Sequence, residues 1–399
     1  ILFSIKFLWA PIVDRVPPLF LERLLGRRRG WMLLAQCGIA AGLFNISLCD
    51  PAGGVRPLAL WALFTTFCAA TQDIALDAWR IESAALPLQG AMLGAYQIGY
   101  RVALVCGSAG ALAVAGRAGW HTSYATMTAL VSVGIVTTLL VPEPAAAVPP
   151  ESVAREARVI AWLERRAHWP QWLLHAGERF LTAVVCPLTD FFARYGTTLA
   201  LLTLAFIALY RLTEFAMGSM VNPFYIDRGF SLMQIAKVVK LYGLVTSIFG
   251  VLLAGVLIAR LGLLRSLVLG SVLIICSNLG YALLASAQAP TILGLGAANA
   301  LDNLALAMHG TALLAFLSGL TSARYTATQY ALFSSLYALP GKILEGTSGM
   351  VVDHIGYPHF FLYTASLALP GLLLLYVLRG HGALQPPRVA HRSSAPAGT

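Results

Sequence analysis

The sequence predicts an all-α polytopic membrane protein, and three observations carry that prediction. Only 11% of the 399 residues are charged, where a soluble domain has roughly 25%. The hydrophobic fraction is 58% and the mean hydropathy is +0.75. Apolar runs of about 20 residues, the length a helix needs to cross a bilayer, recur along the whole chain. A soluble bundle of buried helices would need far more polar surface than these residues supply.

The elements follow in order. The opening "ILFSIKFLWAPIVDR" meets Pro11 after about ten mostly apolar residues, too few to span. It lacks the basic start and small-residue cleavage site of a signal peptide. It reads as the end of a transmembrane helix, so a longer native N-terminus is expected. Spans are then predicted at 31–49, 58–79, 91–116, 120–141, 199–222, 232–259, 264–286, 291–319, 327–350 and 358–378. Between the fourth and fifth lies "PEPAAAVPPES", a Pro/Ala-rich breaker that no helix runs through. The residues after it, including "VAREARVIAWLERR", mix apolar faces with Arg and Trp, as helices lying along a membrane surface do.

This organisation gives an N-terminal bundle at 1–141, truncated at its start, and an interfacial linker at 142–198. A C-terminal bundle follows at 199–378 and a tail at 379–399. A weak internal echo supports two halves of six helices. "ATQDIALDAW" and "ALDNLALAMHG" each place an Asp (73, 302) in a helix that leads to a basic turn.

Charge sets the orientation. The connections 14–30, 80–90, 142–198, 260–265 and 320–326, with the tail from 379, hold 18 Lys and Arg. The alternate connections 50–57, 114–119, 223–231, 287–290 and 351–357 hold three. The positive-inside rule puts the first set, and with it the C-terminus, in the cytoplasm. The net charge of +10 is therefore a topology signal. The short basic turns lack the interleaved aromatics of a nucleic-acid surface. The six cysteines lie in apolar stretches with no C-x-x-C pair, as small core residues do. No H-E-x-x-H or P-loop pattern occurs, and no Gly-x-Gly-Asp of membrane aspartyl proteases. Neither an enzyme, a metal nor a cofactor is expected.

"APIVDR" with the basic turn "GRRRG" resembles the Asp-and-Arg loop of major facilitator superfamily transporters. A narrower resemblance, to AmpG-type muropeptide permeases, rests on "SIKFLWAPIVDR", "GRRRGWMLLAQ", "ATQDIALDAWRIE", "LTDFFARYG" and "TATQYALFSSL". These segments span most of the chain in the family's order. The stretch "ALPGKILEG" departs from the pattern. The resemblance implies the major facilitator fold and proton-driven import of anhydro-muropeptides across a bacterial inner membrane for cell-wall recycling, by a monomer. A related branch handles acetyl-CoA, so that ester or another anionic sugar or peptide conjugate is the alternative substrate.

The charges inside spans are the candidates for chemistry, because an ionised group at the bilayer centre costs about 2.5–3.5 kcal/mol on insertion scales unless it faces a cavity or partner. Asp73 and Asp77, four apart, share one helix face. Two like charges there cannot both ionise cheaply, which suits a proton acceptor; the alternative is a latch between Asp77 and Arg80 or Arg15. Glu214 and Asp302 are the other proton candidates. Arg101 has no partner within one turn and needs Asp73 or a substrate carboxylate. Arg211 with Glu214, and Lys342 with Glu345, have the spacing of self-neutralising pairs; Arg211 and Lys342 are also substrate candidates, with Gln72. Lys6 either contacts substrate or snorkels. Tyr96, Tyr100 and Tyr330 are candidates for stacking on a sugar, although such stripes also serve packing. Asp14, Arg15, Arg27, Arg28 and Arg80 are the gating set. His309 is read as a packed, hydrogen-bonded residue.

Overall fold

A computed structural model describes residues 2–18, 21–50, 54–84, 88–144, 185–322 and 325–380, with isolated positions between 164 and 181. Among these residues there are helices and turns and no strand. Most of the expected linker and tail lies outside the described residues.

Two short turns, Leu2–Ser4 and Lys6–Leu8, lead into α1 (Ala10–Arg15), which has Pro11 in its first turn, where a missing N–H costs nothing. After α2 (Leu21–Leu25), α3 (Arg27–Leu48) opens on the carboxylate of Glu143, which accepts from the backbone N–H of Arg28 (2.7 Å) and Arg29 (3.0 Å). An acid at that position meets both the unpaired N–H groups and the positive end of the helix dipole. The 29 residues of α4 (Val55–Ser83) extend about 43 Å, more than the ~30 Å apolar core of a bilayer. Its last turns, with Asp77, Arg80 and Glu82, therefore reach toward the basic end of the bundle.

Next come α5 (Gln89–Val105), one widened turn at Cys106–Gly110, and α6 (Ala111–Leu140). The apolar stretch Ala91–Leu140 is 50 residues long, about 75 Å if straight, and so cannot be one span. Gly119 breaks it, at φ 82°, a left-handed value that only glycine adopts without strain. Gly356, at φ 73°, breaks the 41-residue α14 (Thr326–Ser366) in the same way. Both breaks fall at the connections expected at 114–119 and 351–357.

The second part of the chain holds α7 (Cys186–Tyr195), α8 (Thr197–Tyr210) and α9 (Leu212–Asp227). It continues with α10 (Leu232–Ile235), a widened helical stretch at Ala236–Tyr242, α11 (Gly243–Leu261), α12 (Leu263–Ser286), α13 (Ile292–Leu320), α14 and α15 (Leu369–Gly380). The sequence gives one span at 199–222; the structure joints it at Arg211 (φ −97°, ψ 6°). That joint carries a candidate residue, and nothing in the apolar pattern marks it.

Packing follows side-chain size. Helix α3 packs on α4 and α6, α12 on α13 and α14, and α9 on α14. Two seams join the early helices to the late ones: α5 lies against α11 and α13, while α1 and α4 lie against α14. The second seam is lined by Ala10, Val13, Ala75, Ala78, Ala327 and Ala331, all buried. Small residues let backbones approach closely where no hydrophobic force separates lipid from protein. Larger aromatics fill the cores beside it, among them Phe191, Phe206, Phe316 and Phe333.

Candidate functional site

Three polar clusters lie among these helices. In the first, α4 turns Asp73, Asp77 and Arg80 to one face, and Lys6 meets them from the opening turns. The Lys6 ammonium pairs with Asp73 and lies 3.7 Å from Asp77 Oδ2. Arg80 approaches Asp77 Oδ1 at 3.4 Å and Ser318 Oγ at 3.3 Å, and its guanidinium sits over Tyr96 (5.9 Å) and Tyr330 (5.5 Å). Tyr96 Oη donates to Asp73 Oδ1 at 3.5 Å. Two cations thus neutralise two carboxylates. They are not equally accessible: the Asp73 side chain is 25% exposed and that of Asp77 8%.

The second cluster is built at the Arg211 joint. The Arg211 guanidinium grips Glu214 with both arms, Nε to Oε2 at 2.7 Å. Arg211 also lies over the ring of Tyr337 (4.9 Å). Tyr337 stands between the clusters, in the fields of Arg211, Lys6, Asp73 and Asp77. His309 Nδ1 is 3.9 Å from Glu214 Oε2.

In the third, Asp302 accepts from Ser277 Oγ (2.7 Å), beside the paired hydroxyls of Tyr225 and Tyr281 (2.6 Å). Arg101, from α5 across the seam, lies in the field of Asp302.

Two of the residues expected to gate, Asp14 and Arg28, form a chain of bonds at the basic end. Arg28 joins Asp14 (2.8 Å) to Glu82 (2.6 and 3.0 Å). Asp14 in turn accepts from the N–H of Ala327 (3.2 Å) and Thr328 (2.7 Å) and from Thr328 Oγ1 (2.6 Å), so it caps α14 from across the seam. The next residue, Gln329, is held from the other side: it bonds Asp190 (3.1 Å) and Arg194 (3.0 Å), themselves paired at 3.1 Å. The first turn of α14 is therefore clamped between α1 and α7.

Several expectations are corrected by this geometry. Lys6 does not snorkel; it is buried and is the partner of Asp73. Arg101 does not brace Asp73 and makes no ion pair within 4.0 Å among the described residues. Asp77 meets Arg80 and not Arg15, whose guanidinium lies over Tyr325 (5.5 Å). Lys342 is exposed and does not pair with Glu345. Tyr330 is buried under Arg80, which leaves no free ring face in this state, whereas Tyr100 is exposed. Gln72 is half-buried without a hydrogen bond, and Arg27 is half-buried without an ion pair, among the described residues. Ser318, Glu82 and Glu143 were not among the sequence candidates, whereas Tyr337, seven residues from Tyr330, shares its helix face in the sequence. Glu82 lies in "ATQDIALDAWRIE" and Glu143 in "PEPAAAVPPES", but neither stretch marks its acid as a partner of Arg28, and Ser318 carries no sequence signal.

Residues 3–343 match the Major Facilitator Superfamily. The chain is 34% identical to the anhydromuropeptide permease of Escherichia coli K12 over 380 residues, covering 94% of this chain and 70% of that one. This chain belongs to the AmpG-type branch of the major facilitator superfamily. A putative transporter AmpG 4 of Rickettsia conorii is 29% identical over 94% of this chain and 85% of its own length. In fold, this AmpG-type chain is similar to the proton:xylose symporter XylE (TM-score 0.66, 14% identity, 94% of this chain and 84% of that one). It is likewise similar to the human organic anion transporter MFSD10 (TM-score 0.64, 16% identity, 94% and 82%). An AmpG-type superfamily member is a multi-pass membrane transporter and not an enzyme.

Proposed function

We propose that this transporter imports anhydro-muropeptides (GlcNAc-anhydroMurNAc peptides) across a bacterial inner membrane, driven by protons, for cell-wall recycling. The observation that carries the reading is the Lys6–Asp73–Asp77 cluster, with Asp73 partly open and a lysine as its only close cation among the described residues. A substrate carboxylate competes with Asp73 for the Lys6 ammonium. Once released, Asp73 is a carboxylate in an apolar setting and takes a proton. Lys6 then holds substrate and Asp73 holds the proton, so neither moves alone. Arg101, with no ion pair among the described residues, is suited to grip a second carboxylate of the peptide through a two-armed bond. Tyr96 and Tyr100, on the same helix, offer rings to the sugar.

In this reading the bundles at 1–141 and 199–378 rock about the two seams, with the basic end and the C-terminus in the cytoplasm. The Asp14–Thr328 and Arg80–Ser318 contacts then close the cytoplasmic side, and Asp14, Arg15, Arg27, Arg28 and Arg80 act as its gate. The protein works as a monomer in the bilayer with substrate and protons as its partners. The test is uptake of labelled anhydro-disaccharide tetrapeptide into proteoliposomes with and without an imposed pH gradient. Gradient-dependent accumulation, displaced by unlabelled muropeptide and not by a coenzyme A thioester, is the expected result. Displacement by the thioester alone would replace the substrate reading with the acetyl-CoA one.

A further inference from the structure

The imidazole of His309 is only 1% exposed, and among the described residues neither ring nitrogen has a partner at ordinary hydrogen-bond distance. A histidine always carries at least one N–H donor, so this is a buried polar group left unsatisfied, which structures avoid unless the site has a use for it. The position is built with care. Tyr210 stacks on the ring at 3.9 Å and 6° and is itself fixed by donation to the Leu267 carbonyl (2.8 Å). On the other side α12 comes so close that a Cβ on Gly270 would lie 2.8 Å from His309 Cα. The ring is held in plane and aimed at one acid, Glu214, 3.9 Å from Nδ1. That acid is already taken by Arg211, and both members of that pair are partly open, at 19% and 21%.

Charge counting gives this arrangement a function. At rest the cluster is neutral: Arg211 is positive, Glu214 negative and His309 uncharged. If a substrate carboxylate draws Arg211 away, Glu214 is left without a cation, and the cluster with its ligand carries one net negative charge in a low-dielectric site. One proton restores neutrality, and His309 is poised to hold it. We propose that His309 is a second proton carrier of the transport cycle, loaded when Arg211 leaves Glu214 for the carboxylate of an anionic substrate. The proton arrives through the water that reaches the Arg211–Glu214 pair and adds to the free imidazole lone pair. The resulting imidazolium donates from Nδ1 to Glu214 Oε2. When substrate departs, Arg211 returns to Glu214, repels the imidazolium and expels its proton. Other charged or titratable groups facing the site are few among the described residues. Tyr210 comes from α8 and Tyr337 from α14, reached through Arg211; Asp302 lies two turns earlier on α13; α12 presents Gly270, which has nothing to titrate.

The inference rests on the anionic-substrate reading for its ligand, and the test separates the two. Protein labelled with ¹⁵N-histidine is reconstituted in bilayers, and the His309 resonances are assigned by their loss in His309→Gln. In the wild type at pH 7, His309 should show the ¹⁵N shifts of a neutral imidazole. In Arg211→Gln it should be an imidazolium. Arg211→Lys, which keeps the charge and gives up one arm of the grip, should move its titration midpoint upward by less. Saturating anhydro-muropeptide should charge His309 in the wild type. Proton uptake on binding, read in weakly buffered solution, should be about one proton per substrate lower in His309→Gln, as the neutrality count requires. A His309 that stays neutral in the Arg211 variants overturns the proposal, as does equal proton uptake by His309→Gln. If the Arg211 variants charge His309 but the muropeptide does not bind, the switch stands and the substrate reading falls. If the muropeptide binds and leaves His309 neutral, the reading stands and the switch falls.

Discussion

Lys6→Met removes the ammonium that holds Asp73 and leaves the side-chain volume nearly unchanged. Asp73 and Asp77 then face each other with Arg80 as the remaining cation, 3.4 Å from Asp77. Removing one partner of a buried pair costs about 3–5 kcal/mol. Protonation limits that loss: an ordinary carboxylate lies about 3 pH units below neutrality, and at ~1.4 kcal/mol per unit the ceiling at pH 7 is about 4 kcal/mol. Because the Asp73 side chain is 25% exposed, the lower part of this range applies, and a loss of about 3 kcal/mol is expected. Asp73→Asn in the same background removes the orphaned charge, so the double variant should be more stable than the sum of the single losses predicts, by about 2 kcal/mol. The assay is reversible unfolding in mixed micelles of increasing SDS, followed by tryptophan fluorescence. Single losses that add within about 0.5 kcal/mol would refute the account of Lys6 as the internal counter-ion.

Other outcomes follow from the same geometry. Arg101→Lys keeps the charge but loses the two-armed grip; it should weaken the apparent affinity for the peptide-bearing substrate about tenfold or more, and less so for the neutral disaccharide, in competition uptake assays. Asp14→Asn weakens the cap on α14 and its link to Arg28; it should raise cysteine labelling from the cytoplasmic side at a probe placed at Ser318, and unchanged labelling would show that Asp14 does not gate. Gly119→Ala puts a Cβ at a left-handed position and should cost about 1–2 kcal/mol of stability in the SDS titration, while leaving substrate affinity unchanged.

The fold was legible because lipid imposes simple rules on sequence. Span length, the Pro/Ala-rich breaker and the basic connections identified the helices, and Gly119 and Gly356 break the chain at expected connections. The candidate site was legible residue by residue but not as pairs. Spacing along one helix found Arg211–Glu214 and Asp77–Arg80, since three- and four-residue separations share a face. It failed for Lys6, whose partner is 67 residues away, and for Asp14, which caps a helix 314 residues on. Those contacts depend on which helices become neighbours, and a single sequence carries no record of that. His309 was read as a satisfied packing residue because burial is visible in an apolar run and hydrogen bonding is not; among the described residues the structure leaves both its nitrogens without a partner at ordinary hydrogen-bond distance.

The central claim is that Asp73 carries the coupling proton. Asn in its place keeps shape and hydrogen bonding but cannot cycle a proton. The most direct measurement loads proteoliposomes of the wild type and of Asp73→Asn with labelled anhydro-muropeptide, and follows both concentrative uptake under a pH gradient and one-for-one exchange without one. The account predicts that Asp73→Asn loses concentrative uptake and retains measurable exchange. Concentration of substrate by Asp73→Asn to the wild-type level would contradict it and move the coupling to Glu214, Asp302 or Asp77.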